Sequence, residues 1–318
     1  MKVLWLTLAD NKEALYGFTE RLSQLYELTC HWLTGKEAKN IARIVGGPQI
    51  KGFDRVVVML PLPLLVKQSA YLRCIPDIVL IQPDLPPAMK AGTGDAEKFL
   101  RLLPVMPWVR LLIPAGEGVS RLEKLGVDLG LVPLGLNALW FRDNNENRRY
   151  QAAILADPEN PPLRERKSLL FDIKTQNKLQ IFDIAEGQAL VDQLNQAGIV
   201  ICNDQGCARY RTLNFQAMAC GAALMTWDRG ARENQWLGFE DMVNVVLYQD
   251  ARSAQAKINF LKRHGDALDS IRESGKALAL EKHSNRALAE KLAEYLVNPL
   301  QRFEGDDIED ALRFRFFR

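Results

Sequence analysis

Residues 210–226 read Tyr210-Arg211-Thr212-Leu213-Asn214-Phe215-Gln216-Ala217-Met218-Ala219-Cys220-Gly221-Ala222-Ala223-Leu224-Met225-Thr226: a polar loop feeds a helix that stops at a glycine and turns directly into an apolar run. Gly221 stands where a helix ends in a positive φ that other residues resist. The run 222–226 has the length and apolar character of a strand buried on both faces. The far end of the helix points N–H groups without helical partners at the preceding loop, a setting that favours an anion. Arg209 and Arg211 add positive charge at that same end, so a diphosphate is the guest this arrangement predicts.

Outward from this point, short apolar runs alternate with amphipathic segments. In the N-terminal part the pattern predicts strands at 3–8, 26–33, 55–60, 77–81, 109–113 and 129–133, with helices at 11–25, 61–72, 95–103 and 118–125. In the C-terminal part it predicts strands at 152–156, 178–184, 198–203, 222–226 and 243–248, with helices at 163–173, 186–196, 211–219, 251–263, 267–280 and 284–297. Such alternation means βαβ units around parallel sheets. The fold class is therefore α/β with two Rossmann-like domains, and 318 residues fit two domains of roughly 150 each. The most polar run, 142–149, reads as the linker or its edge. It sets the domains at 1–141 and 142–298, followed by a tail at 299–318. Phe303, Leu312, Phe314, Phe316 and Phe317 in that tail are too many apolar side chains for a disordered end, so the tail is expected to dock back on the N-terminal domain.

Composition narrows the function. A net charge of +2 gives no strong electrostatic footprint for nucleic acid or an anionic membrane. The five cysteines, Cys30, Cys74, Cys202, Cys207 and Cys220, show no framework spacing and read as free thiols of a reducing compartment. Cys202 and Cys207 lack a second Cys/His pair nearby, so no metal site is expected. Asp306-Asp307 reads as an exposed charged turn. The apolar run at 3–8 is too short for a signal peptide, and no stretch reaches the ~18 apolar residues of a membrane span. A cytoplasmic protein is expected.

The segment Phe215-Gln216-Ala217-Met218-Ala219-Cys220-Gly221 resembles the Phe-Glu-Ala-x-Ala-x-Gly signature of two-lobed (GT-B) glycosyltransferases, most closely the CgeB-like, spore-maturation-type branch. Residues 245–250, the pair His283-Ser284, the segment 165–170 beginning Glu165-Arg166, and 127–141 resemble that branch's other stretches in the same order. The resemblance spans about 125–285 and implies an interdomain cleft, with nucleotide-sugar on the C-terminal lobe and an unknown acceptor on the N-terminal lobe. It implies no cofactor beyond the nucleoside-diphosphate sugar and a retaining outcome. It also implies donor-site roles for Arg166, Arg209, Tyr210, Arg211, Asn214, Gln216 and Glu233. Gln216 stands where most members have Glu; it keeps the hydrogen-bonding shape and loses the charge.

Leaving-group charge on the diphosphate calls for helix N-termini, Arg and Lys, and the acceptor hydroxyl for a general base. Asp10 and Asp84, each just after a predicted strand of the first domain, are the candidate bases, with Glu117 a third. The same aspartates also suit turns or helix N-caps. Arg166 suits a solvated helix face, and His283 a helix end. Three other readings stay open: a binding or scaffold protein that kept the fold and lost turnover at Gln216, a transferase acting on DNA bases through Arg148-Arg149 and Arg164 to Arg166, and an epimerase or phosphorylase of similar architecture. Oligomeric state is not written in the sequence.

Overall fold

A computed structural model describes residues 1–45, 50, 52–90, 92–114, 119–133, 135–156, 172–175, 179–202 and 208–305. The chain forms two compact units. The first comprises Met1–Pro133 and Leu288–Arg318, and the second Leu134–Ala287.

In the first unit β1 (Lys2–Leu8), β2 (Glu27–Leu33), β3 (Arg55–Met59), β4 (Ile78–Ile81), β5 (Arg110–Pro114) and β6 (Asp128–Val132) form one sheet in the order β2-β1-β3-β4-β5-β6. Every pairing is parallel. Alternate residues Val3, Trp5, Val57, Val79, Leu112 and Val132 build one core face, as the twofold period of a strand requires. Phe18 and Leu22 of the helix Phe18–Leu25 cover it, with the Phe18 ring 4.8 Å from that of Trp5. This helix is shorter than the 11–25 pattern predicts. Gly17 has φ +82°, outside the helical range, and forms its N-terminal boundary.

The rest of that face is covered from the far end of the chain. Leu288, Leu292 and Leu296, spaced four apart on the last helix Asn285–Val297, sit in the same cluster. Two arginines at the starts of strands hold its C-terminal end. Arg110, 6% exposed, donates through Nε to both Asp128 oxygens (3.1 and 3.0 Å), through Nη1 to the carbonyls of Tyr295 and Asn298, and through Nη2 to that of Pro299 (2.9 Å). Arg55 Nε donates to Leu296 O (3.0 Å). A helix end leaves carbonyls without intrahelical partners, and guanidinium supplies donors in a planar fork. Gly130 is required by close approach: a Cβ there would lie 2.5 Å from Leu112 Cδ2 and 2.6 Å from the Tyr295 ring.

The first unit thus ends at Pro133 and resumes at Leu288, whereas the polar run placed the boundary after 141 and the return at 299. The apolar stripe of the last helix decides the return, because it completes the first sheet's core. Phe303 also packs in this unit, its ring edge-on to Trp108 at 5.0 Å. Residues 306–318, which include Leu312, Phe314, Phe316 and Phe317, lie outside the described residues.

In the second unit β7 (Tyr150–Ala156), β8 (Gln180–Asp183), β9 (Ala197–Cys202), β10 (Ala223–Trp227) and β11 (Val246–Tyr248) run parallel in the order β11-β10-β9-β7-β8. Ile154, Ile199, Ile201, Met225 and Val246 form its core with Ile258, Leu261 and Ile271 from the helices Ala251–Arg263 and Gly265–Lys282. The helix predicted at 163–173 falls almost wholly outside the described residues. No helix among the described residues is long and apolar enough to cross a membrane.

Arg110→Ala removes the larger of the two arginine caps on the last helix, leaving only Arg55, and leaves Asp128 without its partner. Breaking a buried pair costs about 3–5 kcal/mol, so a midpoint shift of that size is expected in urea unfolding. Arg110→Lys recovers little of it, because an ammonium cannot reach Asp128 and three carbonyls together.

Candidate functional site

Both sheets reverse direction beside their first strand. In the second unit the chain passes from β7 to β8 on one side and then to β9 on the other, so the crevice of this parallel sheet opens beyond the C-terminal ends of β7 and β9, at Ala156 and Cys202. The helix Ala208–Ala219 starts a few residues beyond β9, so its N–H-rich end stands at that crevice. Arg209, Tyr210 and Arg211 are in its first turn along the backbone. Their side chains, and all of Arg166, Arg164 and residues 203–207, lie outside the described residues.

Two of the expected site residues on this helix are described. Asn214 is 1% exposed, and among the described residues its Oδ1 has no hydrogen-bond partner. Gln216 is half-buried one turn before the helix end. Leu213, Phe215, Ala217 and Met218 are also buried, so from Leu213 onward the helix is enclosed nearly all round.

The opposite end of this helix is fixed by charge. Gly221 has φ +74°, as its helix-ending role requires, and a Cβ there would run into the Asp143 carboxylate and the Arg148 guanidinium. Arg148 Nη2 donates to Cys220 O (2.8 Å) and Asp143 Oδ1 (2.7 Å), and its Nη1 to the carbonyl of Asn195 (2.7 Å), the last residue of the helix Gly187–Asn195. Arg272 Nε donates to Gly221 O (2.7 Å). Asn195 accepts from the Asn144 N–H and donates to Arg142 O. The polar run 142–149 is therefore no free linker. Arg148, with Asp143 as its partner, is drawn in by two helix ends whose carbonyls need donors, while Arg142, Glu146 and Arg149 stay exposed. Arg148 is spent on these contacts, which removes it from the basic pair that a DNA-facing surface would use.

Beyond the end of β10, Asp228 organises the next loop. Its Oδ1 accepts from the Gly230 N–H (2.9 Å) and Asn234 Nδ2 (2.7 Å), and its Oδ2 from Gln249 Nε2 (2.8 Å). The Gly230 N–H, more than any other contact, holds the Asp228 carboxyl below its usual value. Glu233, in the first turn of the helix Ala231–Leu237, accepts from Arg229 Nη1 at 2.7 Å; their side chains are 12% and 5% exposed. The carboxylate expected to face the donor sugar thus has a cation attached. Asp228, Asn234 and Gln249 were not singled out in the sequence. The signal was available in Asp228-Arg229-Gly230, an Asx-type turn directly after a buried strand.

His283 is buried as well as ending a helix. Its Nε2 donates to Leu237 O (3.0 Å), and its ring stacks on Phe215 at 3.5 Å and 12°. Burial pushes its pKa down to about 4 against the hydrogen bond to Leu237, with Lys282 adding to the fall.

In the first unit, Asp10 is exposed in the 3-10 turn Ala9–Asn11 directly after β1, and Asp84 is exposed between β4 and the helix Leu85–Lys90. Neighbouring atoms desolvate Asp84 and raise its carboxyl above the usual value. Two strand spacings separate β1 from β4, about 10 Å, so the two aspartates do not share one substrate atom. Glu117 lies outside the described residues. Among the described residues no group of three or more His, Cys, Asp or Glu side chains is placed to hold a metal ion.

Residues 183–294 match the family model described as Glycosyl transferase-like. No curated protein matches the sequence. Sucrose-phosphate synthase from Thermosynechococcus elongatus superposes with a TM-score of 0.61 at 10% identity, over 93% of this chain and 98% of its own. HepE of Anabaena in complex with UDP gives 0.61 at 12%, over 93% and 99%. An alpha-glucosyltransferase in complex with UDP-glucose and DNA containing an abasic site gives 0.54 at 9%, over 94% and 100%. The chain has the GT-B fold. The family match falls on the second unit and the last helix, and with the fold it supports a glycosyltransferase enzyme.

Two outcomes follow for the GT-B chain. Gly221→Ala meets both a disfavoured φ and the Asp143 carboxylate, and is expected to cost about 2–4 kcal/mol in chemical unfolding. His283 has its folded pKa depressed from 6.5 to about 4, so the unfolded chain binds the extra proton between those values. Its contribution is complete above pH 6.5 and is lost as pH falls toward 4, by about 3 kcal/mol. Unfolding curves from pH 7 to 4 should show this slope, and His283→Phe should flatten it.

Proposed function

We propose that the chain transfers a sugar from a nucleoside-diphosphate sugar, with a UDP-sugar as the first donor to test, to a hydroxyl of an acceptor whose identity is open. The observation that carries this reading is the start of the helix Ala208–Ala219 at the crevice of the second sheet. Arg209 and Arg211 follow in its first turn, and the buried Asn214 Oδ1 on the same helix has no partner among the described residues. HepE of Anabaena is known in complex with UDP and with UDP-glucose, which motivates the choice of nucleotide. The order of motifs from Glu165 to His283 supports the CgeB-like branch.

In the proposed reaction the bond from the anomeric carbon to the diphosphate oxygen breaks as the bond to the acceptor oxygen forms. Charge accumulates on the leaving diphosphate. Helix N–H groups with Arg166, Arg209 and Arg211 oppose it without a metal; Tyr210, Asn214, Gln216 and Glu233 complete the donor site. Asp10 is the better-placed base, because it follows β1, the strand at which the first sheet reverses direction. Asp84 stands about two strands away.

Thermal shift against UDP, GDP, ADP, CMP and dTDP forms should single out one nucleotide. At a hundredfold excess over Kd the linkage adds about 2.7 kcal/mol of stability, and Arg211→Ala should abolish most of it. Once an acceptor is found, Asp10→Asn should lower kcat by about 10² to 10⁴, and Asp84→Asn should lower it far less. A protein that no nucleotide stabilises is not a nucleotide-sugar transferase. One that binds the donor and neither hydrolyses nor transfers it is a binding protein that kept the fold.

A further inference from the structure

We infer that His283 is a positioning residue of the donor site, locking the helix Ala208–Ala219 to the end of the helix Ala231–Leu237 so that Asn214 and Gln216 on one and Glu233 on the other keep a fixed spacing. The inference rests on the donor-site reading above.

The geometry is specific. The His283 ring lies face to face with Phe215, the residue between Asn214 and Gln216, at 3.5 Å and 12°. Its edge donates from Nε2 to the carbonyl of Leu237, the last residue of the second helix, a position where helices leave carbonyls unsatisfied. A third element anchors it: His283 ends the helix Gly265–Lys282, its own N–H donating to Ala279 O. Phe239, whose N–H closes onto Asn234 O, brings a second ring to Phe215 at 5.7 Å. One residue therefore joins three helices, two through its ring and one through its backbone, and the two that the ring joins carry residues of the proposed donor site.

Packing alone does not ask for imidazole here. The residue is 6% exposed, and its Nδ1 has no partner among the described residues, an arrangement that weakens a fold relative to an apolar side chain. Phenylalanine would keep the stack and leave Leu237 O unmet, and glutamine would meet the carbonyl and lose the stack. Only a flat ring with a donor at its edge supplies both contacts. The ring is held neutral by its surroundings, so it does so without placing a charge beside the site.

The test uses the full chain and whichever of UDP, GDP or ADP gives wild type the largest thermal shift. Calorimetric Kd values are compared at a temperature where circular dichroism shows each variant folded. His283→Ala is expected to raise Kd at least tenfold, while His283→Phe and His283→Gln, each restoring one contact, raise it less. A folded His283→Ala with Kd within twofold of wild type overturns the inference; if His283→Ala does not fold, His283→Phe carries the comparison, and a Kd within twofold then overturns it. A second measurement needs no substitution: with labelled histidine, saturating nucleotide should move the His283 ring signals and leave those of His31, in the other unit, in place. Unmoved His283 signals overturn it. Wild type that binds none of the three nucleotides overturns the functional reading itself, a result distinct from wild-type binding with indifferent variants.

Discussion

Each unit of this chain depends on a guanidinium group at a helix C-terminus. A parallel sheet covered by helices directs helix ends toward the N-terminal edges of the strands, where several carbonyls lose their partners at once. Arg110 meets this need in the first unit, at the end of the last helix. Arg148 meets it in the second, where the helices Gly187–Asn195 and Ala208–Ala219 both end. Each cation is kept neutral in sum by a carboxylate, Asp128 or Asp143. Paired and saturated with hydrogen bonds, these buried charges become tolerable.

The consequence for function is a division of labour along the helix Ala208–Ala219. One end is fixed by Gly221, Arg148 and Arg272. The other is left to the crevice beyond β7 and β9. A helix anchored at its C-terminus presents its N-terminal N–H groups at a constant height, which is what binding of a diphosphate by backbone dipoles requires. The Asp228 network does the same for the loop after β10, fixing the Gly230 turn and Asn234 with three hydrogen bonds. The crevice side of the second unit is thus organised by contacts whose sequence separations run from two residues to seventy-two.

Much of this was legible in residues 210–226. The helix, its glycine stop and the buried strand were each predicted there and each occurs, because local periodicity and a positive-φ glycine are short-range properties. The roles of Arg148 and His283 were not legible. In sequence Arg148 lies in a polar octet, which reads as solvated, and only its meeting with Cys220 O reveals a cap. His283 reads as the end of a helix, and its stack on Phe215 joins residues sixty-eight apart. The helix predicted over 11–25 began late because apolar spacing continues through Gly17, whose backbone turns the other way.

By itself the sequence determined the α/β class, the parallel sheets, nearly every strand among the described residues, and the helix that starts beyond β9 and stops at Gly221. These follow from periods of two and 3.6 residues and from glycine's backbone freedom, all of which act within a few residues. Tertiary structure alone decided that the last helix completes the first unit's core, that the apparent linker is a clamp, and that Glu233 carries a cation at its carboxylate. Each of these depends on which distant group reaches an unsatisfied carbonyl or charge. That choice is made by burial, after the chain has folded back on itself.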